Sequence, residues 1–247
     1  MSETQTGARY VEAISALPSD RSARAAFQDL VLRIARPGAA LFDFGAGPGI
    51  DARFYAERGF RVGAYDVDPG MCDYFSVHCR QFLQTGQIAL YAGTYPEFLA
   101  SEAPRAAPGV DLVTSNFAPL NLVQDLQGLF LKFHTLTAPD GKVLASVLSP
   151  YFAADLQYRW WWSNCLRLWR NGHFSVPGAH GPIVRRRLAE FAAQSAPYFA
   201  LKRVFPGTSP HRDSYANGID MSRRGGSAWL RLTTSRFMFL LFERLSI

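Results

Sequence analysis

Five residues in a short span have the types and spacing to hold a ligand: Asp43, Gly45, Gly47, Gly49 and, further on, Asp66. The first four sit in Leu41 to Asp51, LFDFGAGPGID, which reads as a buried strand, an abrupt glycine turn and a helix start. Glycines let the backbone take positive φ and let a ligand approach the main chain. A helix opening there points its unpaired N–H groups over the turn. The ordinary alternative is a strand-to-helix turn that binds nothing. The pattern is not the dinucleotide fingerprint, because Ile50 occupies the third glycine position, and no Lys follows as a phosphate loop requires. Asp43, just before the turn, is an awkward neighbour for a pyrophosphate and a favourable one for a cationic ligand group.

The flanking sequence supplies elements to position that turn. ARAAFQDLVLRIARPG places Phe27, Leu30, Val31 and Ile34 at the spacing of one buried helical face and closes at Pro37-Gly38, giving a helix over 20–35 after a shorter one over 8–17. Strands are predicted over 41–44, 60–66, 87–92, 110–116, 142–148, 199–205 and 237–243, with helices over 51–58, 71–84, 122–136 and 183–196. Strands alternating with helices at this spacing imply βαβ units and a parallel sheet. After Pro150 the alternation breaks. Tyr151 to Arg170 reads as a long aromatic helix carrying Trp160, Trp161, Trp162 and Trp169 among Arg159, Arg167 and Arg170, and a loop over 171–182 follows.

Composition limits the classes open to the chain. Its 247 residues, 48% of them apolar, suffice for one large domain with a sizeable core and argue against disorder. The polar start MSETQTGARY lacks the apolar segment of a leader peptide, and the apolar run 237–242 is too short to span a bilayer. Cys72, Cys79 and Cys165 have no metal-ligand spacing, so reduced thiols in a cytoplasmic protein are expected. The net charge of +6 divides into −3 over residues 1–149 and +9 over 150–247. A basic C-terminal part suits an acidic substrate, an anionic membrane face or nucleic acid, or is simply a solvated surface.

With these residues in place, the sequence resembles the class I S-adenosylmethionine-dependent methyltransferases, in the style of the small-molecule and quinone-type enzymes. Their first motif, acidic-x-G-x-G-x-G, matches Asp43, Gly45, Gly47 and Gly49. VGAYDVDPGM ends its strand at Asp66, as the family's ribose-binding acid does; a carboxylate there can accept both hydroxyls of a vicinal diol. VDLVTSNFAPLNLVQDL resembles the fourth strand and its loop, and TAPDGKVLASV the turn into the fifth. The resemblance covers residues 39–148. It implies a Rossmann-like doubly wound α/β sheet of seven strands in the order 3-2-1-4-5-7-6 with the last antiparallel. It further implies one domain over 1–247, with an N-terminal helical cap over 1–36 and an insertion over 151–181. S-adenosyl-L-methionine would be the cofactor and S-adenosyl-L-homocysteine its product.

Carried over residue by residue, the cofactor contacts would be Asp43, Gly45, Ala46, Gly47, Asp66, Val67, Gly93, Thr94, Tyr95, Asn116 and Phe117, with Tyr10 and Arg24 from the cap. The acid that the family pattern carries after the third strand is missing here, where Gly93-Thr94-Tyr95 stands, so Thr94, a backbone group or Glu97 would replace it. Asn121, Trp160 and Trp161 are substrate candidates, and His173, His180 and His211 are weak candidates for a general base. The carboxylates of metal-dependent relatives are absent after the fourth strand, so no metal is expected. Asn116-Phe117-Ala118-Pro119 departs from the tetrad of base-methylating enzymes, so no nucleic-acid partner is expected. The tryptophan-rich stretch is a substrate lid, a core helix or a membrane contact. The leading expectation is O-methylation of an acidic or amphipathic small molecule. Against it stand a lipid or carrier-bound substrate reached by docking on a membrane or acidic carrier, and a non-catalytic cofactor-binding module.

Overall fold

The computed structural model describes Val11 and residues 17–102, 109–178, 181–207, 218–222 and 232–246. Tyr10, His180 and His211, and the expected helix over 8–17 apart from Val11 and Leu17, lie outside them. The described elements run from α1 (Pro18–Ile34) to β1 (Ala40–Phe44), α2 (Ile50–Ala56) and β2 (Arg61–Asp66). There follow α3 (Pro69–His78), α4 (Arg80–Gln84), β3 (Ile88–Ala92), α5 (Tyr95–Ala100), β4 (Val110–Ser115), α6 (Leu126–Leu136) and β5 (Thr137–Leu148). The second part holds α7 (Arg159–Asn171), β6 (His173–Val176), β7 (Ile183–Arg186), α8 (Leu188–Ser195), β8 (Phe199–Pro206), β9 (Ile219–Asp220) and β10 (Phe237–Arg244).

The main sheet has the order β3-β2-β1-β4-β5-β10-β8-β9. β1 pairs in parallel with β2 on one side and β4 on the other. β10 is antiparallel to both β5 and β8. This is the expected doubly wound order, corrected by one strand: the two-residue β9 extends the edge beyond β8, making eight.

All five residues of β1 are buried, as a central strand covered on both faces requires. Side chains alternate across the sheet, so Phe42 and Phe44 enter one core while Leu41 enters the other. On the first face Phe44 meets Phe133 edge-on at 5.4 Å, and Tyr65 stacks on Phe98 at 4.2 Å. On the second, Phe27 of α1 is wholly buried and meets Phe239 at 5.2 Å. Burying a side chain of that size contributes about 2–3 kcal/mol. Asp43 shares the face of Leu41, so the same alternation that fills the core aims its carboxyl toward α1 and α2.

The remaining differences have local causes. The predicted turn 138–141 lies within β5, which starts at Thr137; its register against β4 shifts between Val110 and Leu112, absorbing the Pro-Asp-Gly residues as a bulge. The expected helix over 71–84 is divided at Cys79 into α3 and α4. The long aromatic helix is a 3₁₀ turn (Ala153–Gln157) followed by α7. The loop over 171–182 and the first turn of the helix expected over 183–196 form instead a two-stranded antiparallel sheet, β6 with β7. It places buried Arg186 under the carbonyls of Leu120, Val123 and Gln124. Those bonds fix the insertion against the loop that follows β4.

Candidate active site

β2 and β4 flank β1, so the strand order reverses direction at β1 and leaves a crevice beyond its carboxyl end. Arg24, Asp43, Gly45, Ala46, Gly47, Pro48, Asp51, Asn116 and Phe117 line it. All of these but Pro48 and Asp51 were expected from the sequence as cofactor contacts.

The turn itself is wound tightly. Gly45, Gly47 and Gly49 have φ of 72°, 53° and 81°, the left-handed region that glycine enters without penalty. Its amides are committed inward: Gly45 and Ala46 both donate to the Tyr65 carbonyl at 2.9 Å. Gly47 donates to Asp66 Oδ2 at 2.7 Å and Gly49 to the Ala46 carbonyl at 3.1 Å. Pro48 has no N–H to give. The turn from 45 to 49 therefore has no amide left for a phosphate, and the carboxyl groups around it point the same way.

Asp43 is 2% exposed and lies directly across from Thr114 in the β1–β4 register. The Thr114 hydroxyl donates to Asp43 Oδ1 at 2.9 Å. Burial, and then the negative charge of Asp51, push the Asp43 pKa up to about 8, against the opposing pull of the Thr114 hydroxyl and the Arg24 guanidinium. The carboxyl group is thus neutral near pH 7. A raised pKa contributes stability that is complete below the unfolded carboxylate value near 4 and is lost as pH rises through 8. We expect urea stability to fall across that window and to flatten above it, and Asp43→Asn to remove most of the slope. A cation bound beside Asp43 favours its ionised form, so ligand binding near pH 7 should also release a proton, read as a dependence of the calorimetric heat on buffer ionisation.

Asp51, in the first turn of α2, was missed as a site residue. It is 5% exposed and its carboxylate joins three elements. Arg24 Nη1 and Asn116 Nδ2 donate to Oδ2, the latter at 3.1 Å, and Gln28 Nε2 donates to Oδ1 at 2.7 Å. Arg24 and Gln28 are four apart on α1 and so share a face. The carboxylate in that first helical turn was the available signal, but nothing in the sequence says which side chains reach it.

After β4 the backbone is strained. Phe117 and Ala118 have φ of 61° and 69° without being glycine, a conformation costing on the order of 1–2 kcal/mol each. Asn116 Oδ1 accepts the Phe117 amide at 2.9 Å, and the Phe117 ring lies between the Arg24 guanidinium (4.4 Å) and the edge of Phe237 (5.4 Å). These contacts hold the strained pair in place and present Phe117 as one wall of the crevice. Pro119 closes on the turn so tightly that a Cβ on Gly45 would lie 2.5 Å from its Cγ.

Asp66 ends β2 at the crevice. Its Oδ1 accepts the Asp68 amide at 2.9 Å while Oδ2 holds Gly47. Burial raises its pKa, and the Asp68 and Gly47 amides oppose that rise. Each oxygen keeps a second lone pair for a hydroxyl. Val67 beside it is 57% exposed. Beyond β3, Gly93 accepts the Tyr65 hydroxyl at its carbonyl (3.1 Å). Thr94 and Glu97 form a reciprocal capping box at the start of α5, so the Thr94 hydroxyl and Glu97 carboxylate are already engaged with backbone amides. The Tyr95 hydroxyl is buried and has no hydrogen-bond partner among the described residues.

The expected substrate residues are not in the crevice. Asn121 is wholly buried, donating to the Val184 carbonyl at 2.7 Å and accepting the Leu148 amide at 3.0 Å. Its amide is a strut between the β4 loop, β5 and β7. Asn121→Ala should cost about 2–4 kcal/mol in denaturant unfolding, since two buried backbone groups lose their partners. A loss of acceptor affinity at unchanged stability would instead return Asn121 to the substrate. Trp160 packs on Phe174 and beneath the Arg185 guanidinium at 5.0 Å, and the Trp161 indole donates to the Pro150 carbonyl at 3.4 Å. His173 lies on β6 with Nδ1 3.1 Å from Glu190, facing α8 and not the crevice. Among the described residues, no three His, Cys, Asp or Glu side chains converge as a metal site.

A family model described as a methyltransferase domain matches residues 19–181, the span that carries α1, the glycine turn and the insertion. The chain belongs to this family. No curated protein matches it. Among solved structures it is similar in fold to a TehB-like S-adenosylmethionine-dependent methyltransferase from Corynebacterium glutamicum (14% identity, TM-score 0.60, covering 98% of both chains). It is also similar to a 1,6-didemethyltoxoflavin-N1-methyltransferase from Burkholderia thailandensis (15% identity, TM-score 0.60, 99% of this chain and 87% of that one). A third is the geranyl diphosphate C-methyltransferase from Streptomyces coelicolor (16% identity, TM-score 0.60, 96% and 84%). At such identities the likeness is one of fold: the class I methyltransferase architecture.

Proposed function

We propose that the protein binds S-adenosyl-L-methionine across the ends of β1 and β2 and transfers its methyl group to a small molecule. The observation that carries this reading is the chemistry of the turn. Its amides are consumed internally, while Asp43, Asp51 and Asp66 surround it, a setting that suits a cationic nucleoside and not a pyrophosphate. The residues fit such a cofactor: Asp66 offers lone pairs to a sugar diol, Asp51 supplies negative potential, to which Asp43 adds when a bound cation draws off its proton, and Gly45 to Gly49 allow close approach. The bound cofactor would supply an electrophilic methyl carbon. The Toxoflavin-precursor and geranyl diphosphate enzymes were solved with S-adenosylhomocysteine, in line with this assignment.

For this chain's own residues the work is positioning and exclusion of water, which supply most of the acceleration in an in-line displacement. Phe117, held by Asn116 and Phe237, forms a rigid apolar wall for the acceptor. Guanidinium groups lie over aromatic rings from the crevice outward: Arg24 over Phe117, Arg236 over Phe237 and Arg185 over Trp160. Arg24 and Arg185 are already paired with Asp51 and Asp155, so it is the basic balance of residues 150–247 that favours an acidic or amphipathic acceptor, and an acceptor oxygen is the reading we adopt. The test is release of S-adenosylhomocysteine over a panel of phenols, carboxylic acids and prenyl or acyl acids. Turnover with anionic acceptors supports it. Cofactor binding without turnover across the panel favours a non-catalytic module, and turnover confined to neutral amines removes the acidic-substrate assignment.

A further inference from the structure

We propose that the outer face of α7 is a docking surface for an anionic lipid bilayer. α7 turns only its far side inward, where Asn164 and Leu168 are buried. On its outer side Trp162, Leu166 and Trp169 are 60%, 57% and 73% exposed. Spaced i, i+4 and i+7, they form one stripe along the helix. Fully hydrating three side chains of that size is unfavourable, and a surface of this kind marks an interaction site.

What covers the stripe follows from its flank. Arg159, Arg167 and Arg170 occupy the adjoining arc, and the helix RWWWSNCLRLWRN carries no acidic residue. None of the three arginines has a carboxylate partner among the described residues; the one polar contact given to them is Arg167 to Asn164 Oδ1 at 3.3 Å. The occupant is therefore negatively charged. It must also receive side chains that protrude from a convex helix, which a deformable interface does better than a folded protein surface. Tryptophan is suited to that depth, its ring sitting at the headgroup level with its N–H satisfied. The Trp162 indole already donates to the Leu156 carbonyl at 2.8 Å, so inserting it leaves no donor unpaired. Apolar side chains level with a row of arginines are the arrangement of a helix lying in the interface plane. No helix among the described residues is long and apolar enough to cross a membrane, so the contact is peripheral.

The inference does not depend on which acceptor is methylated, and its test is separate from turnover. The full chain is floated with vesicles of phosphatidylcholine alone or with about 30% phosphatidylserine. The wild type should float with the anionic vesicles alone and be released as salt screens the surface. Arg159→Gln/Arg167→Gln/Arg170→Gln should weaken partitioning about a hundredfold, and Trp162→Ser/Trp169→Ser should weaken it at least tenfold. Both variants alter exposed positions and should keep the wild-type Tm and cofactor affinity. In the wild type, bromine-labelled acyl chains should quench tryptophan emission, and Trp162→Phe/Trp169→Phe should abolish most of that quenching while retaining flotation. Absence of flotation by the wild type, flotation undiminished in the arginine variant, or capture by an acidic carrier protein in place of vesicles would overturn the proposal.

Discussion

Gly49→Ala should lower stability by about 2–5 kcal/mol, a large loss for a single added methyl group. Gly49 caps α2 with φ of 81°, where an L side chain is already strained. Its Cβ would also lie 2.6 Å from the Phe75 ring and 2.9 Å from Cys79 Sγ, both of them buried. Phe75 is wholly buried in the core beside β1 and has no room to retreat. Gly59→Ala is the internal control: φ is 83° but, among the described residues, nothing lies within 4 Å of the added atom. It should therefore lose only the left-handed cost of about 1–2 kcal/mol. Urea unfolding of the two variants separates packing from backbone strain, and equal losses would show that Phe75 yields to the methyl.

The second large effect is on the ligand. Asp66→Ala should weaken S-adenosylmethionine binding by about 1–3 kcal/mol, roughly five- to 150-fold, the scale of hydrogen bonds to a charged group. The carboxylate anchors both the Gly47 and Asp68 amides, so its loss also frees the turn from the end of β2. Asp66→Asn separates the two contributions. It keeps an acceptor for one amide but presents N–H groups where the other amide donates, so the turn loosens even where a hydroxyl could still bond. If Asn binds the cofactor as well as Asp does, the carboxylate charge is not used on the sugar.

What the sequence disclosed and what it hid follow from where the determining contacts lie. The glycine turn, the strands and the carboxylate that ends β2 were legible because local rules govern them: apolar strand runs, positive-φ turns and a polar strand end; the strand order was implied by the family resemblance. Asp51 was not, since its three partners come from α1 and the end of β4, 23 to 65 residues away. Asn121 looked like a site residue because a polar side chain follows β4, yet its bonds run to β5 and β7. The hairpin β6–β7 was unreadable for a similar reason. HFSV and IVRR are four-residue strands without clear alternation, and burial of Arg185 and Arg186 rests on Asp155 and on distant carbonyls. Thr94 and Glu97 were considered for ligand contact, but the Thr-x-x-Glu spacing is itself a helix-start signal and the structure uses it so.

The most direct measurement is calorimetric titration of S-adenosylmethionine into the wild type and Asp66→Ala side by side. Saturable one-to-one binding to the wild type, markedly weakened by the substitution, is the result predicted. No heat from the wild type at about 1 mM ligand, or equal affinity in both proteins, would contradict a nucleoside held at the ends of β1 and β2.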